Sequence, residues 1–135
     1  MKIVLDINVF VSTFFGGNAR RIIDLWKTGE IGLCLTPPII EEYTEVLRRL
    51  GLARAPELVE LLALFARGIH VLFTAKTPKL KVVRADPADD KFIECAVALK
   101  ADCVVTGDKA LRDIGSYMGI RVLSPREFLK LMSSR

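Results

Sequence analysis

Histidine is almost missing from this sequence. Its single copy, His70, lies beside an apolar run, a setting that suits a structural imidazole better than a catalytic one. With no second histidine, a zinc site lacks an imidazole set, and Ser–His or Cys–His chemistry finds little support. Cysteine is nearly as sparse: Cys34, Cys95 and Cys103 are odd in number, scattered among apolar neighbours, and never spaced as Cys-x-x-Cys. That argues against a disulfide framework or a zinc knuckle and fits core thiols in a reducing cytoplasm. No apolar run approaches the roughly 20 residues that cross a bilayer. Asp6 and Asn8 break the N-terminal apolar stretch before it can act as a secretion signal. Internal repeats, low-complexity tracts and linkers are also absent. If this chain does chemistry, carboxylates do it.

What the sequence has in quantity is apolar residues, 51% of 135, with a mean hydropathy of +0.34. This predicts one domain over residues 1–135 with a substantial core, and apolar surface left over for a partner chain. The net charge of +4, from 20 basic and 16 acidic residues, leans weakly towards polyanions.

Apolar runs predict strands at 2–5, 31–35, 70–74, 103–105 and 121–123. Helices are predicted at 19–27, capped by Asn18, and from Thr36-Pro37-Pro38 onwards. Others follow at 56–67, from Asp86 to about Lys100, from Asp108 to about Ile114, and from Ser124-Pro125 to Leu131. Residues 9–15 fit helix or strand. The helix at 56–67 is apolar almost all round and should be covered on more than one side. Strands alternating with helices predict an α/β protein, three layers deep, with a central, mainly parallel sheet of about five strands.

The acids fall at particular places in this plan. Asp6 ends the first strand, at the carboxyl edge where open sheets bind ligands, and Asn8 and Ser12 follow closely. Taken singly, Asp6 and Asn8 read as helix caps. In the helix after Thr36, Ile39, Ile40, Tyr43, Val46, Leu47 and Leu50 form one stripe. Glu42 lies about 100° from its centre, at the margin, whereas Glu41 and Glu45 point away. In the helix after Asp86, Phe92, Ile93, Ala96 and Leu99 mark the buried side. Asp89 shares that side, Asp90 lies about 110° round on the flank, and Asp86 shapes the Pro87 turn. Asp108 follows the fourth strand as Asp6 follows the first, and alone it too reads as a cap. Together Asp6, Glu42, Asp89 and Asp108 gather at one edge of one sheet. Clustered like charges call for a divalent cation, and an all-oxygen set suits Mg²⁺ or Mn²⁺.

These stretches resemble the PIN-domain family of metal-dependent ribonucleases over nearly the whole chain. The resemblance rests on Asp6-Ile7-Asn8-Val9 after a hydrophobic strand, with Ser12 following, and on Thr36-Pro37-Pro38-Ile39-Ile40-Glu41-Glu42-Tyr43. It continues in Asp86-Pro87-Ala88-Asp89-Asp90-Lys91-Phe92, in Ala101 to Lys109 with Thr106-Gly107-Asp108, and in Leu123-Ser124-Pro125-Arg126-Glu127-Phe128. It implies that Asp6, Glu42, Asp89 and Asp108 are the catalytic acids and hold Mg²⁺ or Mn²⁺, with Asn8, Ser12 and Thr106 supporting them. It further implies an endoribonuclease acting on RNA, similar to toxins of prokaryotic toxin–antitoxin pairs, working as a homodimer with an antitoxin protein as partner. Lys91 and Lys109, next to two of the acids, are candidates to position phosphates. The Lys76–Arg84 loop is a looser candidate, equally readable as a solvated connector. Ile7 replaces a usual Thr, and Ala110 an acid often found there. Two alternatives stand beside the nuclease: a non-catalytic PIN-like scaffold that binds RNA or protein, and a receiver-type phosphotransfer domain. The second lacks its phosphoacceptor, because strand three ends in Phe73-Thr74-Ala75.

Overall fold

A computed structural model describes residues 1–52 and 54–135. The apolar run Ile3-Val4-Leu5 lies in β1 (Lys2–Leu5) and is shut off from solvent, as a strand flanked on both sides must be. Around it, β2 (Gly32–Leu35), β3 (Val71–Phe73), β4 (Cys103–Val105), β5 (Ser116–Tyr117) and β6 (Ile120–Leu123) complete a sheet of order β3-β2-β1-β4-β6-β5. All pairings are parallel except β5 with β6. The chain winds outward from β1 through β2 to β3, then returns to the other side of β1 as β4. The direction of winding therefore reverses between β1 and β4. In open α/β sheets, that crevice at the strands' carboxyl ends is where ligands bind. Register makes it level: Leu5 pairs with Val105, so Asp6 and Thr106 emerge side by side.

The expected strands are present, each to within a residue at either end. β5 was not expected. It is two residues long, too short for any periodicity to reveal. It turns back onto β6 through Met118 (φ 49°) and Gly119 (φ 81°), the paired positive dihedrals of a tight hairpin.

Helices cover both faces of the sheet. They are α1 (Ile7–Ser12), α2 (Gly17–Lys27), α3 (Pro37–Arg49), α4 (Pro56–Ala66), α5 (Asp90–Leu99), α6 (Lys109–Arg112) and α7 (Pro125–Ser133). The ambiguous stretch after Val9 belongs to α1. α2 starts ahead of Asn18, with Gly16 as its N-cap at φ 95°, a conformation open to glycine and costly for asparagine. Ser124 and Glu127 form a reciprocal capping box on α7. α5 is preceded by a single turn of 3₁₀ helix (Pro87–Asp89), so the helix expected from Asp86 onward is really two segments.

Two side-chain clasps fix the layers. Tyr43 of α3 stacks on Phe10 of α1, with ring centroids 4.0 Å apart, and its hydroxyl donates to the Leu5 carbonyl just before Asp6. Trp26 Nε1 donates to the His70 carbonyl at 3.1 Å, and His70 Nδ1 lies 2.9 Å from the Trp26 carbonyl. The lone histidine is thus a structural one. Cys34, Cys95 and Cys103 are free and buried, and burial pushes the Cys34 and Cys95 thiols up to about 11 and about 12. α4 departs from expectation. Leu58 and Leu61 are buried beneath it, but Val59 and Leu62 are 57% and 43% exposed, so this chain covers only one of its faces. Among the described residues, no helix is long and apolar enough to cross a membrane.

Candidate functional site

Asp6 caps α1, accepting from Val9 N–H at 2.9 Å through Oδ1, while Oδ2 accepts from the Thr106 hydroxyl. The capping role foreseen for it is therefore made, but it engages one oxygen only. Asp6 is 2% exposed. Burial raises its pKa. The hydrogen bonds from Thr106 and Val9 pull the other way, and the charges of Asp108 and Glu42 push it up again.

Thr106 links the two strand ends. Its hydroxyl donates to Asp6 and accepts from Asp108 N–H at 2.9 Å. Asp108 caps α6 through Leu111 N–H at 3.1 Å. Asp6-Thr106-Asp108 is one connected chain of hydrogen bonds across the β1–β4 crevice, and Thr106 supports both acids.

Glu42 and Asp89 come from elements packed against that edge. Glu42 is partly buried on α3, while Glu41 and Glu45 are exposed, as their helical phase required. Its Oε2 accepts from Lys91 Nζ at 2.9 Å, and both side chains are mostly covered. Asp89 makes no capping hydrogen bond. Its pKa is pushed up to about 7, first by burial and then by the negative charges of Asp86, Asp108, Asp6 and Glu42. Of the four acids singled out in the sequence, Asp89 thus stands in the charge of the other three, and Asp6 in that of Asp108 and Glu42.

Asp90 departs from expectation. It is 8% exposed rather than on an open flank, and its Oδ1 accepts from Val82 N–H at 3.0 Å and Val83 N–H at 2.8 Å. Counting rotation along α5 places Asp90 off the core stripe but leaves out residues 75–85, whose Val82 and Val83 N–H groups bond to Asp90 and cover that flank. Asp86 accepts from Ala88 N–H at 3.2 Å and shapes the turn, as expected.

Of the candidates besides Thr106, only Lys91 bonds to one of the four acids among the described residues. Asn8 is exposed, and the Ser12 hydroxyl donates back to the Asn8 carbonyl at 2.8 Å within α1. Lys109 is bonded to Asp113 at 2.8 Å on the surface of α6. Lys91 holds Glu42. Tyr43 was read only as a core position, and nothing in its spacing announced that its hydroxyl would pin the residue before Asp6.

Among the described residues, no three of His, Cys, Asp and Glu form a ready-made ligand cluster. The donor chemistry fits a hard divalent cation all the same: carboxylates only, partly desolvated, at one sheet edge. The family model for the PIN domain matches residues 2–110. The chain belongs to the PIN-domain family. PIN domains are generally nucleases and generally use divalent metals. No curated protein matches the chain. The family match takes in all four acids and ends in α6. Beyond it, β6 pairs with β4, and β5 pairs with β6 to complete the sheet on that side of the PIN domain.

Proposed function

We propose that this PIN domain is a metal-dependent endoribonuclease that hydrolyses RNA phosphodiester bonds with Mg²⁺ or Mn²⁺ held by Asp6, Glu42, Asp89 and Asp108. One observation carries the proposal. The acids lie just after β1, on α3, in the Pro87–Asp89 turn and at the cap of α6, and Asp89 stands in the charge of the other three and is left without a capping role. Such repulsion is tolerated where a cation relieves it.

When bound, a divalent ion supplies a water of lowered pKa and offsets the charge that builds on the phosphate during hydrolysis. The protein's part is positioning. Thr106 locks the orientation of Asp6, and its backbone-facing bond steadies Asp108. Glu42 and Asp89 complete the donor set from the helical side, Asp89 as a carboxylate that the fold does not use elsewhere. Burial of Asp6 strengthens its hold on any cation that reaches it.

The chain's resemblance to toxins of toxin–antitoxin pairs supports a toxin role in the cytoplasm, with an antitoxin protein and a second copy as partners. Buried free thiols accord with a reducing compartment. The test is cleavage of a mixed RNA pool by wild type and Asp6→Asn, with Mn²⁺ and with excess EDTA. Asparagine keeps the cap on Val9 but loses the charge. Wild-type cleavage that needs Mn²⁺ and is lost in Asp6→Asn is expected; cleavage that persists in EDTA overturns the proposal. Mn²⁺ binding without cleavage returns the scaffold alternative.

A further inference from the structure

Residues 75–85 carry no helix or strand, yet they are tied down at three points. Glu94 Oε2 accepts from Leu80 N–H at 2.8 Å, Asp90 Oδ1 accepts from the N–H groups of Val82 and Val83, and the Val83 side chain is buried in the core. The two acids come from the same helix, α5, and each is spent on the backbone of this segment rather than on a cation. The segment is an anchored strap. It carries Lys76, Lys79, Lys81 and Arg84 and no acid. None of these four takes part in an ion pair among the described residues.

Between the strap and the start of α5 runs a groove of about 610 Å³. Lys79, Lys81 and Arg84 line one side; the other carries the anchoring acids Asp90 and Glu94 together with Pro87, Ala88 and Lys91. Those last three flank Asp89 in the chain, and Lys91 Nζ holds Glu42. None of the four candidate acids lines the groove, but it adjoins two of them, Glu42 through Lys91 and Asp89 through the Pro87–Asp89 turn. A solvated connector needs neither two carboxylates devoted to its backbone nor a one-signed wall facing a cleft.

We propose that Lys79, Lys81 and Arg84 form a phosphate-tracking wall that seats a single strand of RNA beside the acids. The inference rests on the nuclease assignment for the identity of the polyanion, because the groove's wall includes Lys91, whose ammonium is bonded to Glu42 of the proposed metal site. Affinity of this kind comes from counterion release. It varies with salt at a slope of roughly 0.7 per phosphate contact on a single strand.

The probe is a fluorescein-labelled, unstructured 20-nucleotide RNA, its binding followed by anisotropy in EDTA across a salt series. Replacing Lys79, Lys81 and Arg84 together by Ala should weaken binding about tenfold or more and make the log–log salt slope shallower by about 2. A control lacking Arg21, Lys130 and Arg135, exposed cations outside the groove with the same total charge, should keep the wild-type slope. An unchanged slope in the first variant, or an equal loss in the control, overturns the proposal. So does equal displacement of the RNA by polyglutamate at matched charge. Glu94→Ala separates anchoring from simple charge: it removes a negative group, so bulk electrostatics predicts tighter binding, whereas a released strap predicts weaker binding. Unchanged or tighter binding there overturns the anchored strap. Cleavage of the same RNA with Mn²⁺ is measured in parallel, where the strap variant should show a raised KM at little-changed kcat. Strap-dependent binding by a wild type that cuts nothing would refute the nuclease and leave the strap standing. Strap-independent binding by a wild type that cuts would do the reverse.

Discussion

Lys91 reaches from α5 to α3 and donates to Glu42 Oε2 at 2.9 Å, with both side chains mostly covered. From the sequence, Lys91 was a candidate for the phosphates. In the folded chain its ammonium instead balances one of the clustered acids. An ion pair of this exposure is worth about 0.5–1 kcal/mol, and its loss leaves Glu42 facing Asp89, Asp6 and Asp108 without a counter-charge. Lys91→Met is therefore expected to lower the melting temperature by a few degrees in EDTA. Added Mn²⁺ should raise the melting temperature of the variant more than that of wild type. Differential scanning fluorimetry decides it, and equal Mn²⁺ shifts in the two proteins would count against the proposed link between Lys91 and the metal.

Asp89 and Asp90 are adjacent in the chain but differently employed. Asp89→Asn removes a carboxylate that caps nothing, so most RNA cleavage and Mn²⁺ affinity should go while stability is nearly kept. Asp90→Asn still offers one oxygen to Val82 and Val83 N–H, so activity and stability should both survive. Asp90→Ala orphans two amide donors, one of them in the buried Val83, and should cost about 1–3 kcal/mol by urea unfolding. An inactive Asp90→Asn beside a normal Asp89→Asn would move the site to Asp90.

The layers of this fold were legible because they rest on strong, local signals. An apolar run ending in Asp6 marks a buried strand and its edge, and Glu42 stands apart from Glu41 and Glu45 by helical phase alone. Asp90 was misplaced because phase counting sees one helix and not what covers it: the backbone of Val82 and Val83, eight and seven residues earlier, packs over its flank. β5 escaped because two residues cannot show a period. The employment of Lys91, Tyr43 and Thr106 was hidden for a different reason: each bond joins elements far apart in the chain, and only the packing of α3, α5 and β4 against β1 brings the partners together.

The raised pKa of Asp89 gives a signed pH effect. Burial and the neighbouring acids push the folded group up to about 7 from the ordinary 3.8, so between these values the native state holds more proton than the unfolded state. Stability from this group therefore falls as pH rises from about 4 to about 7, and is flat beyond. Because the carboxylate is partly exposed, solvent screening keeps the effect modest. In EDTA, the stability of wild type relative to Asp89→Asn should decline between pH 5 and pH 8. A relative stability that rises over that interval would mean that the acids near Asp89 do not act on it as the structure implies.

The outer face of α4 remains to be covered. Val59 and Leu62, three residues apart on one turn of helix, present two large apolar side chains to water, while Leu58 and Leu61 face inward. Beside them a shallow apolar groove of about 130 Å³ opens between α3 and α4, with Ile40, Leu47 and Phe65 among its walls. A contiguous apolar surface is commonly an association surface, and a second copy of the chain is the simplest occupant because a two-fold axis buries the same patch twice. Leu62→Lys puts an unpaired charge into such an interface. The cost, about 3 kcal/mol per buried charge, corresponds to roughly a hundredfold or more in Kd. Sedimentation at micromolar concentration should show a wild-type dimer and a Leu62→Lys monomer. The two should have similar monomer stability, since Leu62 is already 43% exposed within its own chain. A dimer that survives the lysine would place the interface on another face, and a wild type that is monomeric throughout would leave this surface without a second copy as its partner.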